Sequence, residues 1–211
     1  MNSTTNIEPG HEDEFLTTRY RDALVFSFDL HQQQLRKSST VPYFAHLMSV
    51  SALVLEYGGS EDEAIAGLLH DAVEDQGGLE ILQEIRDRYG DKVASVVEEC
   101  SDSFTNPKPP WLERKITYLE HMKAASPSTR RVSLADKLHN LRDILATYRR
   151  AREDTWQRFK GGKEGTLWYY DSLVQIFEST GSDEMTQELR RVFEELLEIM
   201  SAGTLNSNPK P

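Results

Sequence analysis

Leu68-Leu69-His70-Asp71-Ala72-Val73-Glu74-Asp75 runs an apolar helix face straight into four groups that bind cations or move protons. A charged group beside apolar residues is costly unless it is paired or bound to metal. Glu74 follows His70 by four residues, and Asp75 follows Asp71 by four, so a continuous helix sets each one turn further along. Taken alone, the stretch also fits a helix C-terminus with a solvated acidic end. Its meaning depends on what the rest of the chain supplies.

Upstream, Ser60-Glu61-Asp62-Glu63 has the form of a capping box, so the helix is expected to begin there and to end before Gly77-Gly78. A preceding helix is expected over about Pro42 to Tyr57, with His46 among Phe44, Leu47, Val50, Leu53 and Val54. Before it, residues 13–35 read as a long amphipathic helix whose apolar face Phe26 and Phe28 widen, so it should be substantially buried. Arg36-Lys37-Ser38-Ser39-Thr40-Val41-Pro42 forms the loop between the two.

Downstream, helices are expected over 79–89, around Val93 to Val97, and over 111–125. Asn106-Pro107-Lys108-Pro109-Pro110 cannot be regular structure, so the 103–110 stretch reads as a surface loop and a candidate mobile segment. Ser126-Pro127 opens a helix to about Arg149, with Val132, Ala135, Leu138, Leu141 and Leu145 on one stripe and Asp136, His139 and Asn140 on or near it. Gly161-Gly162 breaks the chain before a helix over 164–177. A last helix follows Gly181-Ser182. No period-two alternation, GxGxxG, GxxxxGK[ST] or CxxC is present, so the chain reads as one all-α domain over 13–202, with polar ends at 1–12 and 203–211.

Composition narrows the function. A net charge of −11 over 211 residues argues against general nucleic-acid binding, though not against a small phosphorylated ligand met by a local basic patch. No apolar run is long enough to span a bilayer, and no secretory signal is visible. A single cysteine, Cys100, fits a reducing, cytoplasmic setting.

His46, His70, Asp71 and Asp136 come from three expected core helices. Two imidazoles and two carboxylates without thiolate suit Mn²⁺, Fe²⁺ or Zn²⁺ better than Mg²⁺ or Ca²⁺. Glu74 and Asp75 stand where they could activate water or protonate a leaving oxygen. Arg36, Lys37, Asn140 and Arg142 could hold a phosphate, a sugar or a base. Each has a plainer reading: a core histidine, a helix-surface aspartate facing Lys137 or Arg131, a basic helix end. Those readings must explain polar groups on three apolar faces independently. His31 and His121 lack an acidic neighbour pattern and read as structural or solvated, and Trp168-Tyr169-Tyr170 as packing.

Three stretches resemble the hydrolase domain of RelA/SpoT-type enzymes within the HD phosphohydrolase superfamily. They are Arg36-Lys37-Ser38-(x)3-Pro42-Tyr43-(x)2-His46, Leu68-Leu69-His70-Asp71-(x)2-Glu74-Asp75, and Leu134-Ala135-Asp136-Lys137-Leu138-His139-Asn140-Leu141-Arg142. The resemblance spans about residues 15–178. It implies a helical HD-type bundle of roughly 8–10 helices. It further implies His46, His70, Asp71 and Asp136 as metal ligands, usually for Mn²⁺, and Glu74 and Asp75 as the catalytic pair. Arg36, Lys37, Ser38, Asn140 and Arg142 become nucleotide contacts. The implied reaction is hydrolysis of (p)ppGpp to GDP or GTP and pyrophosphate by a stand-alone small alarmone hydrolase, which could be a homo-oligomer. Leu47, Gln76 and Asp143 stand where the family usually has proline, threonine and a small residue. Asp143 adds a negative charge near a phosphorylated ligand. The alternatives are an HD phosphohydrolase acting on an adenine alarmone, NADPH or a nucleoside monophosphate, and a nucleotide sensor without turnover.

Overall fold

The computed structural model describes residues 16–37, 39–102, 107–181 and 183–205. The polar stretch 1–12, the end of the tail, Ser38 and half of the 103–110 loop lie outside the described residues. Among the described residues the chain is all-α, and its one β-type pairing is an isolated bridge between Leu35 and Pro42. None of the described helices is long and apolar enough to cross a membrane.

The order is α1 (Thr18–His31), α2 (Phe44–Glu56), α3 (Glu61–Leu69), a π turn (Val73–Gly77), α4 (Gly78–Tyr89), α5 (Asp91–Cys100), α6 (Trp111–Ala124), α7 (Pro127–Ala151), a 3-10 segment (Arg152–Arg158), α8 (Gly162–Thr180) and α9 (Glu184–Leu205). The cap signals act as expected. Ser60 and Glu63 make a reciprocal capping box at α3. At α7 the Ser126 hydroxyl accepts from the Thr129 N–H, with proline in the first turn.

The site depends on how α2, α3 and α7 meet. α7 packs against α2, α3, α5 and α9, and α2 and α3 pack tightly on each other. Leu47, Val50, Val54, Leu68, Leu69, Leu138 and Leu141 are fully buried between them. Gly67 sets the α2–α3 approach: a Cβ there would lie 3.2 Å from Ser51 Cα and 3.3 Å from its nitrogen. Two buried hydroxyls fasten α3 through its carbonyls, Ser27 donating to Leu68 O and Ser51 to Ala64 O, each at 2.8 Å.

Several expectations are corrected. α1 ends at His31, not at residue 35, because residues 34–43 close on themselves: the Arg36 N–H donates to Val41 O and the Tyr43 N–H to Gln34 O, both at 2.8 Å. Phe28 is 47% exposed, packed edge-on against Phe44, so α1 is less buried than its pattern implies. The helix expected to run unbroken to Gln76 stops at Leu69 and resumes as the π turn, which closes at Gly78 with φ +61°. The wider turn re-aims Glu74 and Asp75 relative to a straight helix, as π-bulges at functional sites often do. The 3-10 segment, which buries Trp156, was not foreseen. α9 begins after Asp183, whose Oδ1 caps Thr186 N, and runs past residue 202 to Leu205.

Candidate metal centre and nucleotide pocket

His46 projects from the second residue pair of α2, His70 caps the C-terminus of α3, Asp71 follows it, and Asp136 comes from the middle of α7. His46, His70 and Asp136 each place a ligand atom within 4.8 Å of the others. His46 Nε2 lies 3.2 Å and His70 Nε2 3.7 Å from Asp136 Oδ1. Asp71 Oδ2 is 3.0 Å from His70 Nε2 and 3.9 Å from His46 Nε2, so the fourth expected ligand borders both imidazoles but is not one of the three whose ligand atoms all lie within 4.8 Å of one another.

Both Nε2 atoms are buried and lack a hydrogen-bond partner. The other ring nitrogen of each is engaged. His70 Nδ1 donates to Gly67 O at 2.8 Å, which leaves the Nε2 lone pair facing the cluster. His46 Nδ1 meets His139 Nδ1 at 2.9 Å. Burial, and then the proximity of His46, press the His139 pKa down to about 4, so its neutral ring can accept the His46 proton. This is the usual orienting arrangement behind a metal-bound imidazole. Two imidazole Nε2 atoms and two carboxylates thus converge, and a divalent cation in place of the proton that the carboxylates favour on His70 fits such a set.

The electrostatics agree. Burial opposes charge on His70, but Asp71 and Asp136 override it and hold its pKa well above the ordinary value. Burial likewise opposes charge on Asp136, yet Lys137 and the two imidazoles keep it well below the usual carboxylate range. The position therefore draws positive charge strongly. Tyr43, which carried no role in the sequence reading, donates its hydroxyl to Asp71 Oδ2.

Glu74 and Asp75 lie beside this cluster on the π turn. Burial, then the nearby Asp102 carboxylate, raise the Glu74 pKa against the pull of Lys108. Lys108 reaches in from the Pro-rich segment, its Nζ 2.6 Å from Glu74 Oε1 and 3.8 Å from Asp75 Oδ1. A carboxylate tuned upward beside a cation site is poised for proton transfer.

A cavity of about 320 Å³ adjoins the cluster. Arg36, Lys37, Lys115, Lys137 and Arg158 line it, with Tyr43, Trp111, Phe159, Tyr169 and Tyr170 supplying ring surface and Asn140 an amide. Arg36 Nη2 donates to Asn140 Oδ1 at 2.9 Å, and Asn140 Nδ2 donates to Asp136 Oδ1, so the expected nucleotide contacts are wired to the metal centre. Asp143 does not add a bare negative charge: Arg36 lies 3.8 Å away and Arg158 pairs with it directly. Arg142 does not join the site. It projects towards α9 and donates to Glu188 Oε1 at 2.9 Å. Ser38 lies outside the described residues. The sequence reading missed Lys115 and Arg158, which come from α6 and the 3-10 segment and carry no motif. Trp111 and the Gly161 turn locate this wall: a Cβ on Gly161 would lie 2.6 Å from the Trp111 ring.

A family model described as an HD domain matches residues 23–166. The chain belongs to the HD-domain family. Within it, the chain is similar to proteins named guanosine-3′,5′-bis(diphosphate) 3′-pyrophosphohydrolase MESH1. It is 33% identical to the Mus musculus protein over 82% of this chain and 92% of that one, and 40% identical to the Xenopus tropicalis protein over 58% and 68%. Among solved structures, a metazoan ortholog of SpoT, described as hydrolysing ppGpp, shares the fold with a TM-score of 0.70 at 24% identity, over 85% of this chain and 96% of that one. A Listeria monocytogenes structure matches with a TM-score of 0.62 at 27% identity, over 74% and 99%.

Proposed function

We propose that this chain is a metal-dependent (p)ppGpp 3′-pyrophosphohydrolase. The observation that carries the reading is the pair of partnerless, buried Nε2 atoms on His46 and His70, facing Asp71 and Asp136 beside a cationic, ring-lined cavity. The relatives' names supply the substrate class.

His46, His70, Asp71 and Asp136 hold the divalent ion, which we take to be Mn²⁺. When bound, such an ion supplies Lewis acidity at the phosphoryl oxygens and makes water a usable nucleophile near neutral pH. Asp75 helps place the attacking water, Glu74 accepts a proton from it, and that proton passes through the pair to the leaving oxygen. Water adds to the phosphorus joined to the 3′ oxygen, the P–O3′ bond breaks, and the 3′ oxygen departs as a hydroxyl. The products are GDP or GTP and pyrophosphate. Lys115, Lys137, Lys37 and Arg158 hold phosphates, while Arg36, Tyr43 and Asn140 hold the nucleoside. The substrate is a free nucleotide, and the lone Cys100 supports a cytoplasmic location.

The test is product analysis of ppGpp incubated with Mn²⁺-loaded protein, chelator-treated protein and the Glu74→Gln variant, alongside adenine alarmones and NADPH at equal concentration. GDP and pyrophosphate from the loaded wild type alone is the expected result. Faster turnover of another nucleotide would replace the substrate, and tight binding without product from any of them would leave a sensor.

A further inference from the structure

Gln34 sits in the 32–43 loop, and its side chain makes a set of contacts that the mechanism above leaves unused. Its Nε2 donates to Asp75 Oδ2 at 2.8 Å. Its Oε1 accepts from Gln76 Nε2 at 2.6 Å and faces His31 Nδ1 at 2.7 Å. These partners fix the amide's direction. Turned over, Gln34 would set its oxygen against a carboxylate oxygen and its NH₂ against the Gln76 NH₂.

The contacts behind Gln34 are themselves held. His31 is buried, and its ring stacks on Tyr43 with centroids 5.6 Å apart. Tyr43 in turn donates to Asp71 Oδ2. A continuous series of contacts therefore joins the ligand Asp71 to Asp75 by way of Tyr43, His31 and Gln34. Gln76 belongs to it because its Nε2 lies 3.2 Å from His31 Nδ1 as well as 2.6 Å from Gln34 Oε1.

We propose that Gln34 is a positioning residue for Asp75, its amide oriented by His31 and Gln76. Engaging Oδ2 leaves Oδ1, which faces Lys108 Nζ only at 3.8 Å, to handle the proton of the water or the leaving oxygen. The inference rests on the reading of Asp75 as half of the proton-handling pair.

Two measurements test it. In zinc-loaded, ¹⁵N-labelled protein, the Gln34 side-chain NH₂ signal should move on Asp75→Asn and stay in place on Glu74→Gln. In steady-state hydrolysis of ppGpp, Gln34→Leu should lower kcat by about 10–100-fold, the range typical of lost orienting contacts, at unchanged KM and metal content. Gln34→Glu, which keeps the shape and loses the donor, should behave alike and covers the case in which the leucine variant folds poorly. Adding either change to Asp75→Asn should cost nothing more. An amide signal indifferent to Asp75→Asn overturns the proposal. So does an equal further loss of kcat in the Asp75→Asn background, or a loss confined to KM or metal content. If the wild type turns over no ppGpp, the functional reading fails, and the NMR result still decides the positioning contact.

Discussion

The candidate metal cluster and the cationic rim around the cavity beside it form an inner and an outer wall of the site, and they hold their charges differently. The inner wall is helical. His46, His70 and Asp136 are buried on α2, α3 and α7, with their second ring nitrogens or oxygens tied by His139, Gly67, Lys137 and Asn140. The outer wall is made largely of connections: Arg36 and Lys37 in the 32–43 loop, Lys108 ahead of α6, and Arg158 at the end of the 3-10 segment. Arg36 and Arg158 pair with Asp143 and Lys108 with Glu74, carboxylates that a phosphate can replace. On the proposed reading the inner wall is preorganised for one small cation and the outer wall exchanges partners when ligand arrives. Damage to the first should abolish turnover, and damage to the second should appear in KM.

The largest effect is expected from Asp71→Ala. It removes a ligand and the acceptor of the Tyr43 hydroxyl together. Metal content after dialysis should fall to background and hydrolysis with it. A metal-free Asp71→Ala protein of wild-type activity would break the division between the walls. Glu74→Gln comes next. It keeps the volume and the ligand set but removes the proton acceptor, so metal content should stay stoichiometric while kcat drops by about 10²–10⁴-fold. Loss of metal in that variant would move Glu74 from the proton-handling pair into the ligand set.

Lys115→Ala should act more mildly and on the other parameter. Its Nζ lies 2.9 Å from Asp102 Oδ2 and 4.9 Å above the Tyr169 ring, on the cavity surface. Losing one charge-assisted hydrogen bond of ~1.5 kcal/mol corresponds to a KM about 10-fold higher. Steady-state kinetics at constant ionic strength would read it. A drop in kcat at unchanged KM would place Lys115 at the transition state instead.

The same contrast explains what could be read from the sequence. That His46, His70 and Asp136 would meet was legible because they sit at core positions beside apolar stripes, with strong caps on α3 and α7 though none on α2. Ser60 and Glu63 start α3, Ser126 and Pro127 start α7, and the ligands fall on the buried faces those starts dictate. The π turn was not legible, since Val73-Glu74-Asp75-Gln76 continues the apolar spacing of α3 and only the hydrogen-bond register changes. His139 was visible as a residue on the right stripe, but its role needs the position of His46, which a different helix sets. Lys115 lies 19 residues before Leu134 and Arg158 16 residues after Arg142, outside every motif, and neither carries a pattern of its own. Their meeting depends on how α6 and the 3-10 segment pack, which no local spacing encodes. Arg142 shows the reverse error: a motif position only two residues after Asn140 lies on another face of α7 and meets α9.

Arg142 also supplies the smallest expected effect. Its side chain is 41% exposed and pairs with Glu188, linking α7 to α9 away from the cavity. Glu188 has its pKa pressed down from the ordinary 4.5 to about 2, first by Arg191 and, against the cost of burial, then by Arg142. A carboxyl depressed on folding contributes stability that is present above its unfolded value and is lost as pH falls through its folded value. The contribution of this pair therefore fades between about pH 4.5 and 2. Arg191 remains in Arg142→Ala, and an exposed pair is worth only ~0–1 kcal/mol, so acid-unfolding midpoint and neutral-pH stability should move little. KM for ppGpp should not move at all, while Arg158→Ala, which frees Asp143 at the cavity, should raise it. An Arg142→Ala variant with a raised KM would turn that side chain towards the ligand and redraw the outer wall through α7.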